Sequence, residues 1–330
     1  SLAILAYYAK ARYPLFFPGE REEKSMTCRL LHLQNEQEWT KASSWLDARF
    51  NPGNAVEEQV REFLPAVREK GDDALVAYTR QFDCESFEAP LRIPAEDIAR
   101  GAAGVSLESR EYISLAAGNI RRFHENQLEK SWFETRPDGS ILGQRVIPVD
   151  NVGLYVPGGK GGSTPLVSSL LMNASPALVA GVRRVVVCTP PRRDGSVDPH
   201  ILAAAHLLDI DEVYRVGGAW AIGALAYGTA SIAPVDVIAG PGNIYVATAK
   251  RLVQGAVGID MVAGPSEVLV IADSSARPAW LAADMLSQAE HDPLASAICV
   301  TDDARLAEYL LEELERQCAA LPKVAIAGKS

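Results

Sequence analysis

Apolar and polar positions follow two different patterns along the chain, and the change comes near residue 147. In residues 55–82 apolar side chains recur every three or four positions, which predicts helix. Pro65 predicts a kink or a restart there, and Gly71 predicts a helix stop. Residues 107–130 carry a second amphipathic helical pattern, and few strand signals occur before residue 140. The pattern therefore predicts a largely helical lead-in.

From about residue 147, short β-branched runs alternate with helical segments. The predicted strands are 152–156, 184–188, 212–216, 235–238, 268–272 and 297–301. The predicted helices between and after them are 165–180, 199–208, 219–227, 244–254, 278–289 and 304–319. Such alternation predicts βαβ units and a parallel sheet that helices cover on both faces. The continuous apolar run 185–187 agrees with a strand buried on both sides.

Composition narrows the classes of function. The 330 residues can form one large or two ordinary domains, and the net charge is −10. Without a cluster of Lys and Arg, this charge argues against nucleic acid and favours a small-molecule partner. No segment is long and apolar enough for a membrane helix. The five cysteines form no CxxC pair, so we expect reduced, buried thiols in a cytoplasmic protein.

The first 25 residues differ from the rest. The chain begins at Ser1, and its apolar run to Tyr8 is too short to span a bilayer and lacks the basic start of a signal peptide. Met26 opens a more ordinary stretch, and we expect it to be the true initiator. Residues 1–25 are then expected to be a non-native or disordered extension.

Glycine-rich turns follow three of the predicted strands, at 157–164, 217–219 and 240–243. Ligands of open parallel sheets bind at the carboxyl ends of strands, where such turns and helix N-termini gather. Neither a Walker A nor a GxGxxG pattern is present, so a turn of this kind indicates either a ligand contact or a tight connection. Trp220 is a candidate for core packing or for ligand contact. Asn243 is a candidate for a helix N-cap or for a nucleotide contact.

Two further groups carry polar side chains suited to a site. Ser266 and Glu267 precede a predicted buried strand, as ligand contacts or as partners of the turn, and no GxSxG elbow surrounds Ser266. Gln288 and His291 stand three residues apart at the end of a predicted helix, so both can project from one face and share a metal. A histidine there can instead cap the helix dipole, and zinc needs about four ligands.

Together these stretches resemble the histidinol dehydrogenase family over about residues 30–330. The stretches that carry the resemblance are 152–160 (VGLYVPGGK), 171–174 (LMNA), 214–219 (YRVGGA), 236–243 (DVIAGPGN), 258–267 (GIDMVAGPSE) and 286–292 (LSQAEHD). The resemblance implies an α/β fold of two incomplete Rossmann-like parallel-sheet units with a helical N-terminal lead-in. Residues 26–150 are then the lead-in and part of the first α/β domain, 151–264 the second Rossmann-like domain, and 265–330 a return to the first.

The same resemblance implies an activity and its cofactors. It implies zinc-dependent oxidation of L-histidinol to L-histidine, the last steps of histidine biosynthesis, by two successive hydride transfers to NAD. It also implies an intertwined homodimer whose active site uses both chains. Gln288 and His291 match two of four zinc ligands that also lie against histidinol, and Ser266 matches a substrate-contacting serine. Tyr155 and Asn243 match NAD-contacting positions.

The chain departs from the family pattern at two places. Trp220 occupies a cofactor-binding position at which many members carry a NAD-contacting glutamine. The family's catalytic Glu-His pair, its zinc-binding aspartate and its last zinc-binding histidine would lie beyond residue 330. No general base is therefore assigned within these residues, and we expect the chain as given to be inactive. Two alternatives are a paralogous zinc dehydrogenase of a small sulfonated diol and a non-catalytic nucleotide-binding remnant.

Overall fold

A computed structural model describes residues 2–7, 28–49, 54–158, 166–262, 266–290 and 295–321. The helices are α1 Glu36–Arg49, α2 Asn54–Lys70, α3 Asp72–Phe82, α4 Ala95–Ala103, α5 Leu107–Glu125, α6 Val167–Ala180, α7 Pro199–Leu207, α8 Gly218–Tyr227, α9 Ile244–Val253, α10 Pro278–Ala289 and α11 Ala304–Ala320. The strands are β1 Leu2–Tyr7, β2 Arg29–Leu33, β3 Trp132–Thr135, β4 Ile141–Gln144, β5 Asn151–Tyr155, β6 Arg184–Thr189, β7 Glu212–Arg215, β8 Val237–Ala239, β9 Gly258–Ile259, β10 Glu267–Ala272 and β11 Ser296–Thr301. Two compact units result, one of residues 1–52 with 264–330 and one of residues 53–263.

A five-stranded sheet is the centre of the 53–263 unit. Its order is β7-β6-β5-β8-β9, and every neighbouring pair is parallel. From β5 the chain runs outward through β6 to β7 and then returns to β8 on the other side. The strand order therefore reverses between β5 and β8, which is where an open parallel sheet has a crevice for ligands at its carboxyl edge.

Helices cover both faces of this sheet, as the alternation of strands and helices predicts. Val186 and Cys188 of β6 point into one core, to which α2, α3, α8 and α9 contribute. Val185 and Val187 point into the opposite core, to which α4, α5, α6 and α7 contribute. The prediction that 185–187 is buried on both sides is thus confirmed, because successive side chains of a strand face opposite ways.

Helix α2 belongs with the parallel sheet, and it continues through Pro65 without ending. Its side chains Val60, Leu64 and Val67 are buried in the core shared with α8 and α9. This packing offsets the hydrogen bond that proline removes, since most helical stability in proteins comes from a buried apolar face. The sequence analysis assigned residues up to 150 to the lead-in and the first domain. The structure instead groups residues 53–150 with 151–263.

The other unit contains a four-stranded mixed sheet of order β10-β11-β1-β2. Strands β10 and β11 are parallel, whereas β1 is antiparallel to both β11 and β2. Leu281 and Met285 of α10 and Leu310 and Leu314 of α11 are buried in the core of this unit. We expected residues 1–25 to be a non-native or disordered extension. Strand β1 lies within this range, and its backbone pairs with β11 on one side and β2 on the other.

Strands β3 and β4 form an antiparallel hairpin that pairs with neither of the two sheets. All eight of its residues are exposed. Its sequences WFET and ILGQ lack the alternation of apolar and polar residues that marks a strand packed on one side, and the sequence analysis did not predict it. Among the described residues no helix has the length and apolar character needed to cross a membrane.

Candidate functional site

Tyr155 ends β5 at the carboxyl edge of the parallel sheet. Its side chain is buried, and its hydroxyl oxygen accepts a hydrogen bond from the backbone N–H of Gly218, at 3.2 Å. Gly218 is the first residue of α8, which follows β7. Burial raises the pKa of the Tyr155 phenol far above its usual value, so the hydroxyl keeps its proton. Tyr155, the predicted cofactor-binding tyrosine, therefore links the end of β5 to the start of α8.

Gly217 leaves no room for a side chain beside Tyr155. A Cβ atom at this position would lie 2.5 Å from Cβ of Pro190 and 3.2 Å from Oδ2 of Asp83. No side chain caps the N-terminus of α8, which begins directly after this glycine. The glycine therefore lets Pro190 and Asp83 pack closely against the start of α8. Free N–H groups of a helix N-terminus favour anionic groups.

Asp83 is a charged residue at this edge that the sequence analysis did not single out. It follows α3, more than a hundred residues before Gly217, and only the fold brings the two together. Its Oδ2 atom is buried and has no hydrogen-bond partner among the described residues. Burial raises the pKa of this carboxyl to about 6. The charge of Asp83 adds a smaller contribution than burial to the raised pKa of Tyr155.

The turn at 240–243 is held by an ion pair whose lysine is buried. The side chain of Lys250 on α9 is 2% exposed, donates to the carbonyl oxygen of Gly240 at 2.9 Å, and pairs with Asp260. Asp260 also accepts from the N–H of Gly240, at 2.9 Å. Gly240 has a φ of +122°, and a Cβ there would lie 2.1 Å from the carbonyl oxygen of Tyr155. The pair therefore fixes this turn against the end of β5.

Asn243 caps α9, as one of its two interpretations predicted. Its side-chain oxygen accepts from the N–H groups of Tyr245 and Val246, at 3.1 and 3.2 Å. Such a cap satisfies N–H groups that have no partner within the helix. A contact of Asn243 with a nucleotide stays a prediction.

Trp220 lies in the core, where the packing interpretation placed it. Its ring stacks on Phe82 at a centroid distance of 5.1 Å and makes edge contact with Phe63 at 5.8 Å. Tyr78 adds a tilted contact at 5.6 Å. The indole N–H is buried and has no partner among the described residues. Contact of Trp220 with a cofactor stays a prediction.

Ser266 and Gln288 belong to the other unit. Ser266 is exposed, and its carbonyl oxygen accepts from the N–H of Ser296 at 3.3 Å. Glu267 accepts from the hydroxyl of Ser296 at 2.8 Å. Gln288 is half-buried in the last turn of α10. His291 lies outside the described residues, as do residues 159–165 of the first glycine-rich turn.

The edge of the parallel sheet carries groups that suit a dinucleotide. At the edge of the parallel sheet lie an uncapped helix N-terminus, the hydroxyl of Tyr155 and the unpartnered carboxyl of Asp83. These are the groups that phosphates and ribose hydroxyls bind. Over the described ranges no three or more His, Cys, Asp and Glu residues come together to hold a metal. Gln288 alone is not a zinc site.

Comparison with known proteins places the chain in one family. The family model "Histidinol dehydrogenase" matches residues 48–330. The chain is 60% identical over 306 residues to a "Histidinol dehydrogenase" of Nitratidesulfovibrio vulgaris, covering 92% of this chain and 70% of that protein. It is 52% identical over 284 residues to one of Desulfotalea psychrophila, covering 86% of this chain and 65% of that protein.

A solved structure agrees with these sequence matches. The crystal structure of histidinol dehydrogenase from Elizabethkingia anophelis superposes with a TM-score of 0.73 at 38% identity. The superposition covers 83% of this chain and 63% of the other. The chain thus spans about two thirds of the length of such relatives. On the match of its sequence and of its fold, the chain belongs to the histidinol dehydrogenase family.

Proposed function

We propose that the protein carrying this chain oxidises L-histidinol to L-histidine with NAD in two successive hydride transfers, as the last steps of histidine biosynthesis. Membership of the family over residues 48–330 is the observation that carries this proposal. For the chain as given we propose no activity, because the resemblance places the catalytic Glu-His pair outside these residues.

The carboxyl edge of the parallel sheet supports NAD as the cofactor. NAD when bound supplies the hydride acceptor. The chain's own contribution at this edge is to bind and orient it, through the hydroxyl of Tyr155 and the N-terminus of α8. Asn243 stands on the turn that Lys250 and Asp260 hold in place. A turn fixed in advance lowers the cost of orienting the cofactor, which is the main contribution a protein makes to hydride transfer.

Zinc belongs to the proposal only through the resemblance. Gln288 and His291 would supply two ligands and contact the substrate, and Ser266 would contact the substrate. Among the described residues no set of donors comes together to hold the metal. The proposed place of action is the cytoplasm. Buried thiols such as Cys188 and Cys299 fit it.

The hairpin of β3 and β4 supports a homodimer. Trp132 and Phe133 are neighbours on β3, and Ile141 and Leu142 are neighbours on β4, so apolar side chains project from both faces. An isolated two-stranded hairpin is marginally stable in water, and exposed apolar surface of this kind marks an interaction site. We propose that a second copy of this chain covers it. Phe133→Lys should then shift sedimentation towards the monomer, whereas Phe123→Lys on α5 should not.

The activity is tested by following NADH formation. The protein is expressed with any further residues that its gene encodes, loaded with zinc, and given L-histidinol or a small sulfonated diol. Turnover of histidinol that disappears in Gln288→Ala and in His291→Ala supports both the substrate and the metal site. Ser287→Ala is the matched control, because this neighbouring side chain only donates to the carbonyl oxygen of Asp284.

Two other outcomes would contradict the proposed activity, and a third would contradict the metal site alone. Turnover of the diol alone identifies a paralogous dehydrogenase of the same fold. Binding of NAD without turnover of either substrate identifies a non-catalytic nucleotide-binding protein. Retained turnover of histidinol in both Gln288→Ala and His291→Ala removes the assigned metal site.

A further inference from the structure

Two segments that are far apart in the sequence meet at the start of α8. The α3–α4 segment comprises residues 83–94, and the β6–α7 segment comprises residues 190–198. A Cβ atom at Gly217 would lie 3.2 Å from Oδ2 of Asp83 in the first segment and 2.5 Å from Cβ of Pro190 in the second. The positions of the two segments therefore determine the shape of the sheet edge around this helix N-terminus.

Arg215 binds both segments at once. It is the last residue of β7, two positions before Gly217. Its Nη1 atom donates to the carbonyl oxygen of Gly195 in the β6–α7 segment, at 2.9 Å. Its Nη2 atom donates to two carbonyl oxygens of the α3–α4 segment, those of Glu88, at 3.2 Å, and Pro90. One guanidinium therefore ties the two segments to the end of β7.

Further contacts pack the two segments around this guanidinium. It lies over the buried ring of Phe87, at 4.8 Å from the ring centroid. Gly195 has a φ of +80°, and a Cβ there would lie 3.9 Å from both Nη1 of Arg215 and Sγ of Cys84. The thiol of Cys84 donates to the carbonyl oxygen of Arg193, at 3.1 Å, and so joins one segment to the other directly. The two segments thus form one packed unit with Arg215 inside it.

The charge of Arg215 is costly where it lies. Burial lowers the pKa of the guanidinium, because its charged form loses water. The three acceptors are neutral carbonyl oxygens, and Nε is buried without a partner among the described residues. The strand does not depend on this side chain, since the backbone of β7 pairs with β6 and the N–H of Arg215 donates to the carbonyl oxygen of Leu91, at 2.8 Å. What the guanidinium contributes is geometry, because its donors form a rigid fork that reaches several acceptors at once.

We propose that Arg215 is a positioning residue, which clamps the α3–α4 and β6–α7 segments against the start of α8 without touching a ligand itself. Without the clamp, the two segments become ordered separately, and a cofactor that binds at this edge must order them first. Binding is then weakened in proportion to the time that the segments spend out of place. This consequence for the cofactor rests on the proposed use of NAD, whereas the clamp does not.

Hydrogen–deuterium exchange of the protein without cofactor tests the clamp. Arg215→Met should raise amide exchange in both segments by about tenfold or more, while exchange in α9 stays unchanged. Arg92→Met is the matched control, because it removes a cation of the α3–α4 segment whose pairing with Asp211 is exposed. Arg215→Lys, which keeps the charge and loses the fork, should give a smaller rise and serves if the methionine variant does not fold. Unchanged exchange in both segments, or an equal rise in Arg92→Met, overturns the clamp.

NADH formation from L-histidinol by the protein with any further residues that its gene encodes tests the consequence. Arg215→Ala should raise KM for NAD about tenfold, with kcat and KM for histidinol within about threefold of the parent, because uniform binding is what is lost. Added ethylguanidinium should lower this KM again, since it replaces the missing fork, and a variant that is merely less stable would not recover. An unchanged KM for NAD, or a raised KM without recovery, overturns the positioning role. Absence of turnover in the parent refutes the proposed function instead, and hydrogen exchange still decides the clamp.

Discussion

Replacing Lys250 by Met should destabilise the 53–263 unit by about 3 kcal/mol, because it breaks a buried ion pair. Methionine fills nearly the same volume, so little of this loss comes from a cavity. What disappears is the hydrogen bond to the carbonyl oxygen of Gly240 and the pairing with Asp260. Breaking a buried pair costs about 3–5 kcal/mol. The lower end applies because the Asp260 side chain is 30% exposed and keeps its bonds from two backbone N–H groups.

Removing the charge of Asp260 should cost more stability than removing the charge of Lys250. Asp260→Asn leaves a buried ammonium group with neutral acceptors only, such as the carbonyl oxygen of Gly240, so we expect a loss of about 4–5 kcal/mol. The double variant should cost about 1–3 kcal/mol less than the sum of the single changes, since neither charge is then left without its partner. This order, with the aspartate change worse than the lysine change, follows from the unequal burial of the two side chains.

Urea denaturation followed by tryptophan fluorescence measures these differences, since Trp132 and Trp220 both report on this unit. Arg251→Met is the matched control. It removes a neighbouring cation on the same helix whose pairing with Glu57 is solvent-exposed, and such pairs contribute about 0–1 kcal/mol. If Lys250→Met lies within about 1 kcal/mol of this control, the buried pair is no stronger than a surface pair and the reasoning is refuted.

Three further predictions concern the same edge of the sheet. Because burial raises the pKa of Asp83 to about 6, the folded state binds this proton more tightly than the unfolded chain does. The free energy of unfolding should therefore fall as pH rises from about 4 to 6. Asp83→Asn should abolish this fall and should stabilise the protein by about 1–2 kcal/mol at neutral pH, allowing for solvent screening. An equal gain in stability at both ends of this pH range would contradict the assignment. Asn243→Ala should cost about 1 kcal/mol in thermal or urea unfolding through loss of the cap, whereas Asn243→Asp should not; equal losses would exclude the capping role. Trp220→Gln should cost about 3 kcal/mol in urea unfolding because it empties an aromatic cluster, and a neutral result would show that the ring is not needed in the core.

Much of the parallel sheet can be predicted from the chain because its signals are local. The predicted helix 278–289 coincides with α10, which begins at a proline and ends after a regular apolar period. The strand around Val186 is predicted by an unbroken apolar run. The capping role of Asn243 is predicted by its position directly before a helical pattern. Each of these signals lies within a few residues of the element that it predicts.

The residues that sequence analysis missed depend on partners far along the chain. Lys250 stands beside Arg251 in an ordinary helical pattern, and nothing local distinguishes the buried cation from the exposed one. Asp83 is defined by Gly217, which only the fold brings close. The hairpin at β3 and β4 has apolar side chains on both faces, so the alternation that marks a strand is absent. Strand β1 pairs with β2 and with β11, which is almost three hundred residues away in the chain, so no local pattern predicts this pairing.

Two interactions at the sheet edge also determine whether a ligand meets donors or acceptors there. They are the cap that Asn243 forms on α9 and the hydrogen bond from Gly218 to Tyr155. Asn243 uses its side-chain oxygen to cap α9, so its amide NH₂ group is what remains to face outward. Tyr155 has accepted a bond from Gly218, so its hydroxyl hydrogen is left to donate. Both side chains thus present donors, as does the start of α8. A ligand that binds these donors must bring acceptors, which a pyrophosphate has in abundance.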